Sequence, residues 1–175
     1  MKGHLLLAFI LFLPFAQPKS VRTDIESWNA LLGAFRARGV EVSSDHPRCQ
    51  EPDLYGLYIR GQRKVVVCER GDRTLTLRHE GWHLAQSLCL LDTPWLSDAD
   101  ITQKLTREDL IELAALVQPE RRRREAEARA MAHLSQPHFL EAIGQACLTR
   151  LPIQTAITVG KSGARPAGEE SLPQK

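Results

Sequence analysis

The sequence predicts an α+β domain, mostly helical, with a small β-hairpin packed on one central helix. Three observations carry this reading. Apolar residues recur at helical spacing in several separate segments. One stretch, from Leu57 to Val67, has the β-branched composition and glycine-containing turn of a hairpin. The segment from Thr74 to Leu91 joins an apolar helical stripe to the run His79-Glu80-Gly81-Trp82-His83. At 175 residues the chain suits one domain with short extensions, read as residues 21–152 between an apolar leader (1–20) and a tail (153–175).

The elements follow in order. Thr23-Asp24-Ile25-Glu26 has the form of a capping box, and Trp28, Leu31, Leu32 and Phe35 continue at helical spacing until Gly39. Val40 to Val42 is a short strand, and Asp45, Pro47 and Pro52 mark a turn-rich stretch. Leu57-Tyr58-Ile59 and Val65-Val66-Val67 flank Gly61-Gln62 as the hairpin. Thr74 or Thr76 then caps the central helix, whose Leu77, Gly81, Leu84, Leu88 and Leu91 form one stripe, with His79, His83, Gln86 and Leu90 opposite. Thr106 to Asp109 caps a helix with Leu110, Ile111, Leu113, Ala114, Leu116 and Val117 as its apolar positions. Pro119 ends that helix and opens the next, Glu120 to Leu134. A last helix runs from Pro137 to Leu148, and Gly160 to Lys175 has the composition of a disordered tail.

A net charge of +2 gives no electrostatic footprint for nucleic acid, and none is expected as a partner. Met1-Lys2, the apolar run Leu5 to Leu13 and then Pro14-Phe15-Ala16 have the layout of a signal peptide, although Pro14 occupies a position where cleavage sites carry a small residue. The run is too short to span a bilayer, which takes about 20 residues. Its alternative is an N-terminal membrane anchor or a buried strand. A signal would place the chain in a secreted or periplasmic compartment, where Cys49, Cys68, Cys89 and Cys147 would form two disulfides. The expected pairing is Cys49–Cys68, which flanks the β region, and Cys89–Cys147, which joins two helices.

The chemistry concentrates in the central helix. Residues four apart lie one above the other, so His79 and His83 point the same way and can take two corners of a tetrahedral zinc site. Glu80 projects beside them, toward an attacking water rather than the metal. With only 6 histidines in the chain, this HExxH spacing is improbable by chance. Gln86, one turn past His83, can hold a hydrogen bond to a ligand, or is an ordinary polar residue. A catalytic zinc needs a third protein ligand. The metzincin pattern would place Gly and His at positions 86 and 89, where this chain has Gln86 and Cys89. Cys89 lies roughly 240° around the helix from His83, away from any metal there.

Downstream, Glu125-Ala126-Glu127-Ala128 together with HExxH resembles the gluzincin metallopeptidases, in particular their small HtpX-type and ImmA/IrrE-type members. That resemblance implies a zincin-like fold from about Tyr55 to Leu134, a zinc ion and a peptide or protein substrate. It makes Glu125 the third ligand and gives Ala128 and Ala132 the role of letting two helices approach. Members often carry Asp or Asn where this chain has Arg129. It also implies a substrate strand along an edge beside the active helix, expected at Lys64 to Cys68. The residues themselves keep Glu127 as an alternative ligand. Glu125 has Arg121 and Arg129 one turn either side, the pattern of a solvated face, whereas Glu127 shares a stripe with Ala130, Met131 and Leu134. Tyr58, His133, His138 and the Arg121–Arg124 run are candidates for stabilising an oxyanion.

The function expected is zinc-dependent peptide hydrolysis with Glu80 as general base. Two alternatives stand beside it: a non-catalytic zinc-binding domain with a regulatory or interaction role, and a disulfide-stapled secreted structural protein whose HExxH is coincidental.

Overall fold

A computed structural model describes the backbone of residues 19–151 and the side chains of residues 25–151. Residues 1–18 of the expected leader and the whole expected tail lie outside the described residues; Lys19 and Ser20 begin the first helix. Among those residues the fold is α+β, with six α-helices and a three-stranded mixed sheet. In order they are α1 (Lys19–Arg36), β1 (Glu41–Ser43), a 3₁₀ turn (Pro47–Gln50), β2 (Gly56–Tyr58), β3 (Lys64–Val67), α2 (Arg73–Leu88), α3 (Asp98–Lys104), α4 (Arg107–Leu116), α5 (Pro119–Ala132) and α6 (Gln136–Cys147).

Helix α2 is the centre of the domain, packed against the sheet and α5 and flanked by α1 and α6. Gly71, at φ +60°, turns the chain so that Asp72 arrives in extended backbone and its carboxylate accepts from the Leu75 amide at 2.9 Å. Asp72 is therefore the cap, and Thr74 and Thr76 lie inside the helix. Leu77, Leu84, Ala85 and Trp82 are buried in the core. Gly81 is required by a close approach. A Cβ there would lie 2.1 Å from the Phe35 ring, itself buried, so α1 sits directly on the HExxH helix.

The sheet order β1-β3-β2 differs from one expectation. β3 is the middle strand, paired parallel with β1 and antiparallel with β2. Lys64 to Cys68 is thus not an edge. The short strand expected at Val40 to Val42 forms one residue later, as Glu41–Ser43, and pairs with β3, leaving β2 as the edge beside α2.

Four helices depart from the sequence reading. α1 already runs from Lys19, so Thr23 lies within it rather than at its start. α2 ends at Leu88, because Leu91 and Asp92 adopt left-handed backbone (φ 51° and 61°), and Leu91 is exposed rather than part of the apolar stripe. α3 was not anticipated; Ser97 caps it through the Asp100 amide. In α4 the Thr106–Asp109 capping box forms as expected, but a helix this short buries one residue of its apolar set, Leu113. Leu110, Ile111 and Leu116 face outward.

Two disulfides, Cys49–Cys68 and Cys89–Cys147, match the expected pairing. Cys89 is the C-cap of α2, so the second bridge ties the central helix to the end of α6. Its partners are 58 residues apart. Replacing both by serine should lower the unfolding free energy in a urea titration by roughly 4 kcal/mol on loop-closure grounds.

Candidate metal centre

Helix α5 packs on α2, and its Ala128 and Ala132 are buried. This contact delivers Glu125 to the histidine face of α2. Glu125 Oε2 lies 3.0 Å from His83 Nε2, and Glu125 Oε1 lies 3.2 Å from His79 Nε2. One donor atom from each of the three residues lies within 4.8 Å of the others. The two imidazoles meet edge to face, with centroids 4.7 Å apart. A tetrahedral zinc with bonds of about 2.0–2.1 Å separates its donors by about 3.3 Å, close to the two histidine–carboxylate distances found here. The donor set, two imidazoles and one carboxylate with a position left open, can bind a metal ion.

His83 is prepared by its other nitrogen. Nδ1 lies 2.9 Å from the Gln86 amide oxygen, so Nδ1–H donates there and Nε2 is left to face Glu125. Gln86 is itself buried, and its Nε2 donates to the Arg124 carbonyl (3.0 Å) and to Glu127 (3.1 Å). The Arg124 guanidinium donates to the His83 carbonyl (3.0 Å) and to Ser87 Oγ (2.8 Å), and pairs with Asp92. These bonds fix the register between α2 and α5 at the residue preceding Glu125.

Glu127 does not reach the histidines. It is 1% exposed, and its Oε1 accepts from Trp82 Nε1 at 3.0 Å while Oε2 accepts from the Trp95 and Leu96 amides. Its place on the buried stripe, which kept it in contention as a ligand, makes it a structural anchor instead. Arg129 answers the apparent solvation of Glu125. Its guanidinium donates to Glu125 at 3.3 Å and to Glu112 at 2.6 Å, and pairs with Asp109, so a charged network backs the site.

The electrostatics follow from this packing. Burial alone would raise the Glu125 carboxyl pKa, but hydrogen bonds to His79 and His83 hold it far below the usual carboxylate range. Burial opposes a charged His83, and the bond to Glu125 with the nearby charge of Glu80 outweighs it, raising His83 above the ordinary imidazole value. Glu80 goes the other way. Burial pushes its carboxyl up, offset in part by His79, His83 and the Tyr58 amide. That amide donates to Glu80 Oε2 at 2.8 Å, so the edge strand β2 orients the carboxylate. Gly56 makes the approach possible: a Cβ there would meet Thr76 Cγ2 at 2.5 Å and Glu80 Cγ at 3.1 Å. Gly56 did not stand out in the sequence, since it acts through close backbone approach between distant elements. Arg124 stood out only within the Arg121–Arg124 run of oxyanion candidates; that its guanidinium binds the His83 carbonyl and Ser87 depends on the packing of α5 on α2.

Two clefts, of about 440 and 560 Å³, meet at Gly56, His79 and Glu80. The first is lined by Asp72, Asp109, Glu112, Arg129 and His133, the second by Tyr58, Arg60, His83, Arg121, Arg124 and Glu125. Of the oxyanion candidates, His133 is held by Asp109 at 2.8 Å in the first cleft, and the Tyr58 hydroxyl accepts from the Gly61 amide at 2.9 Å in the second. His138 pairs with Ser135 and lines neither cleft.

Comparison with family models, with curated proteins and with solved structures gives no match to this chain. Two disulfides are the mark of an oxidising, extracytoplasmic environment, and among the described residues no helix is long and apolar enough to cross a membrane.

Proposed function

We propose that this chain is a zinc-dependent metallopeptidase of the gluzincin kind, secreted or periplasmic, acting on peptides or proteins. The observation that carries the reading is the convergence of a carboxylate from α5 on two histidines of α2, with Glu80 next to them on the same helix. Two histidines and a carboxylate also serve non-haem iron. The i, i+4 pair with a glutamate beside the first histidine is the feature that favours zinc and hydrolysis.

His79, His83 and Glu125 would hold the ion. When bound, zinc supplies Lewis acidity, polarising the substrate carbonyl and bringing the pKa of water toward about 7. Glu80 takes the proton of the water whose oxygen attacks the carbonyl carbon. The C–N bond then breaks, and Glu80 returns the proton to the departing amine nitrogen. The two clefts meet at Glu80, so an extended peptide crossing from one to the other carries its scissile bond past that carboxylate. Gln86 keeps His83 in the tautomer a ligand requires.

Metal analysis tests the ligand set. The purified protein should hold one zinc per chain. His79→Ala, His83→Ala or Glu125→Gln should each weaken binding by more than the roughly 10–100-fold that outer partners alone contribute. Full occupancy at unchanged affinity in Glu125→Gln would remove the third ligand from the proposal.

A second reading, a non-catalytic zinc-binding domain, is favoured by the Tyr58 amide. It occupies a Glu80 oxygen that a general base would use, on a carboxyl already pushed up by burial.

A further inference from the structure

The clefts on the two sides of the metal centre differ in charge. In the first, Asp109 and Glu112 are matched by Arg129, and His133 also pairs with Asp109. Asp72 accepts from the amide that it caps, and Asp53 adds a further negative charge. The second cleft gathers three guanidinium groups, Arg60, Arg121 and Arg124, around the same metal centre. Only Arg124 has a carboxylate partner, Asp92. The Arg60 and Arg121 side chains form no ion pair or hydrogen bond among the described residues. Arg60 also lies close enough to Arg124 for their like charges to repel.

The carboxylates nearby do not relieve this excess. Glu125 is engaged by both histidines and Arg129, and Glu80 by the Tyr58 amide. Glu120 lines an adjoining hollow with Arg60 and Arg121 but pairs with neither. Like charges held together at the mouth of a cleft favour an anion that enters it. Guanidinium groups bind carboxylates in particular, through paired N–H donors.

We infer that the cleft lined by Arg60, Arg121 and Arg124 is a subsite for a carboxylate of the substrate peptide, placed on the side of the metal centre bounded by β2 and the start of α5. The carboxylate is either an acidic side chain or the peptide's own C-terminus. This inference rests on the metallopeptidase reading and adds a substrate class to it: peptides carrying an anionic group to one side of the scissile bond. The arginine run starting α5 then has a task besides solvation. Arg124 and the backbone of that turn hold Glu125 in place, while Arg121 reaches into the cleft.

The test is equilibrium binding to the zinc-loaded Glu80→Gln protein, which separates recognition from turnover. Short labelled peptide pools would carry Glu, Gln or Lys at one fixed position, each with a free or an amidated C-terminus. Acidic peptides should bind about fivefold to tenfold more tightly than neutral ones, the scale of two partly exposed charge pairs, and the margin should shrink as salt is raised. Loss of the preference on amidation identifies the C-terminal carboxylate, and loss on exchanging Glu for Gln identifies the side chain.

The double variant Arg60→Gln/Arg121→Gln should abolish the preference, and Arg60→Glu/Arg121→Glu should turn it toward Lys. Zinc content and circular dichroism would check that both variants are folded. Charge-indifferent binding by the parent, or an acidic preference that survives in the Glu variant, overturns the subsite while leaving the peptidase reading standing. Failure of every pool to bind the zinc-loaded protein overturns both.

Discussion

Replacing Glu80 by glutamine should cut peptide hydrolysis by about 10²–10⁴-fold, the usual worth of a positioned general base, while zinc content stays at the parent level. The expectation follows from where Glu80 sits. Its oxygens lie outside the group formed by His79, His83 and Glu125, so removing its negative charge takes no ligand from the ion. Glutamine keeps the shape of the side chain and can still accept from the Tyr58 amide through its oxygen, so the β2–α2 contact survives. What it loses is the ability to take a proton. Cleavage of a quenched peptide, measured beside metal content, separates the two readings of this site. A catalytic centre loses turnover and keeps zinc. A binding module shows no turnover in either protein, and its partner binds both alike.

Glu127→Ala should cost about 3–5 kcal/mol of unfolding free energy, the scale seen when one member of a buried charged network is removed. The carboxylate serves as acceptor for the Trp82 indole, the Gln86 amide and the Trp95 and Leu96 backbone amides, and Arg123 lies 3.5 Å away. Alanine leaves the Trp82 indole and the Trp95 and Leu96 amides without the acceptor they now share, at a side chain only 1% exposed. Urea unfolding monitored by tryptophan fluorescence is suited to the measurement, because Trp82 reports on the same contacts. A loss under about 1 kcal/mol would mean that the network relaxes onto other partners. The folded fraction should also bind zinc more weakly, since Gln86 couples Glu127 to His83.

The central helix and its histidine face were legible in the sequence because i, i+4 spacing is a local property. The hairpin and the disulfide pairing were legible too, since one pair of cysteines brackets a strand region and the other lies on helices. What escaped depends on contacts between distant segments. β3 could not be recognised as a middle strand because its second partner, β1, is three residues long and lies across a long loop. α3 is only seven residues long, although Ser97 followed by Asp98 and Asp100 is a readable cap. Leu110, Ile111 and Leu116 fit a helical stripe, but of the apolar residues of α4 the fold buries Leu113 alone. Glu125 looked solvated because its neighbours on α5 are arginines. Only the fold shows that Arg129 is turned toward Asp109 and Glu112 and that the carboxylate is aimed at α2.

Glu125 lies between two imidazoles that both face it through Nε2, and this arrangement has a consequence for how the ion enters. Hydrogen atoms bridging those contacts must leave before a cation takes their place, so uptake is an exchange of protons for metal. The raised pKa of His83 sets the direction. Its ring stays protonated to a higher pH than a free imidazole, so affinity should be weak in mild acid and climb as that ring becomes neutral. Adding zinc to the metal-free protein in weakly buffered solution near neutrality should therefore acidify it, and a pH indicator would record the release.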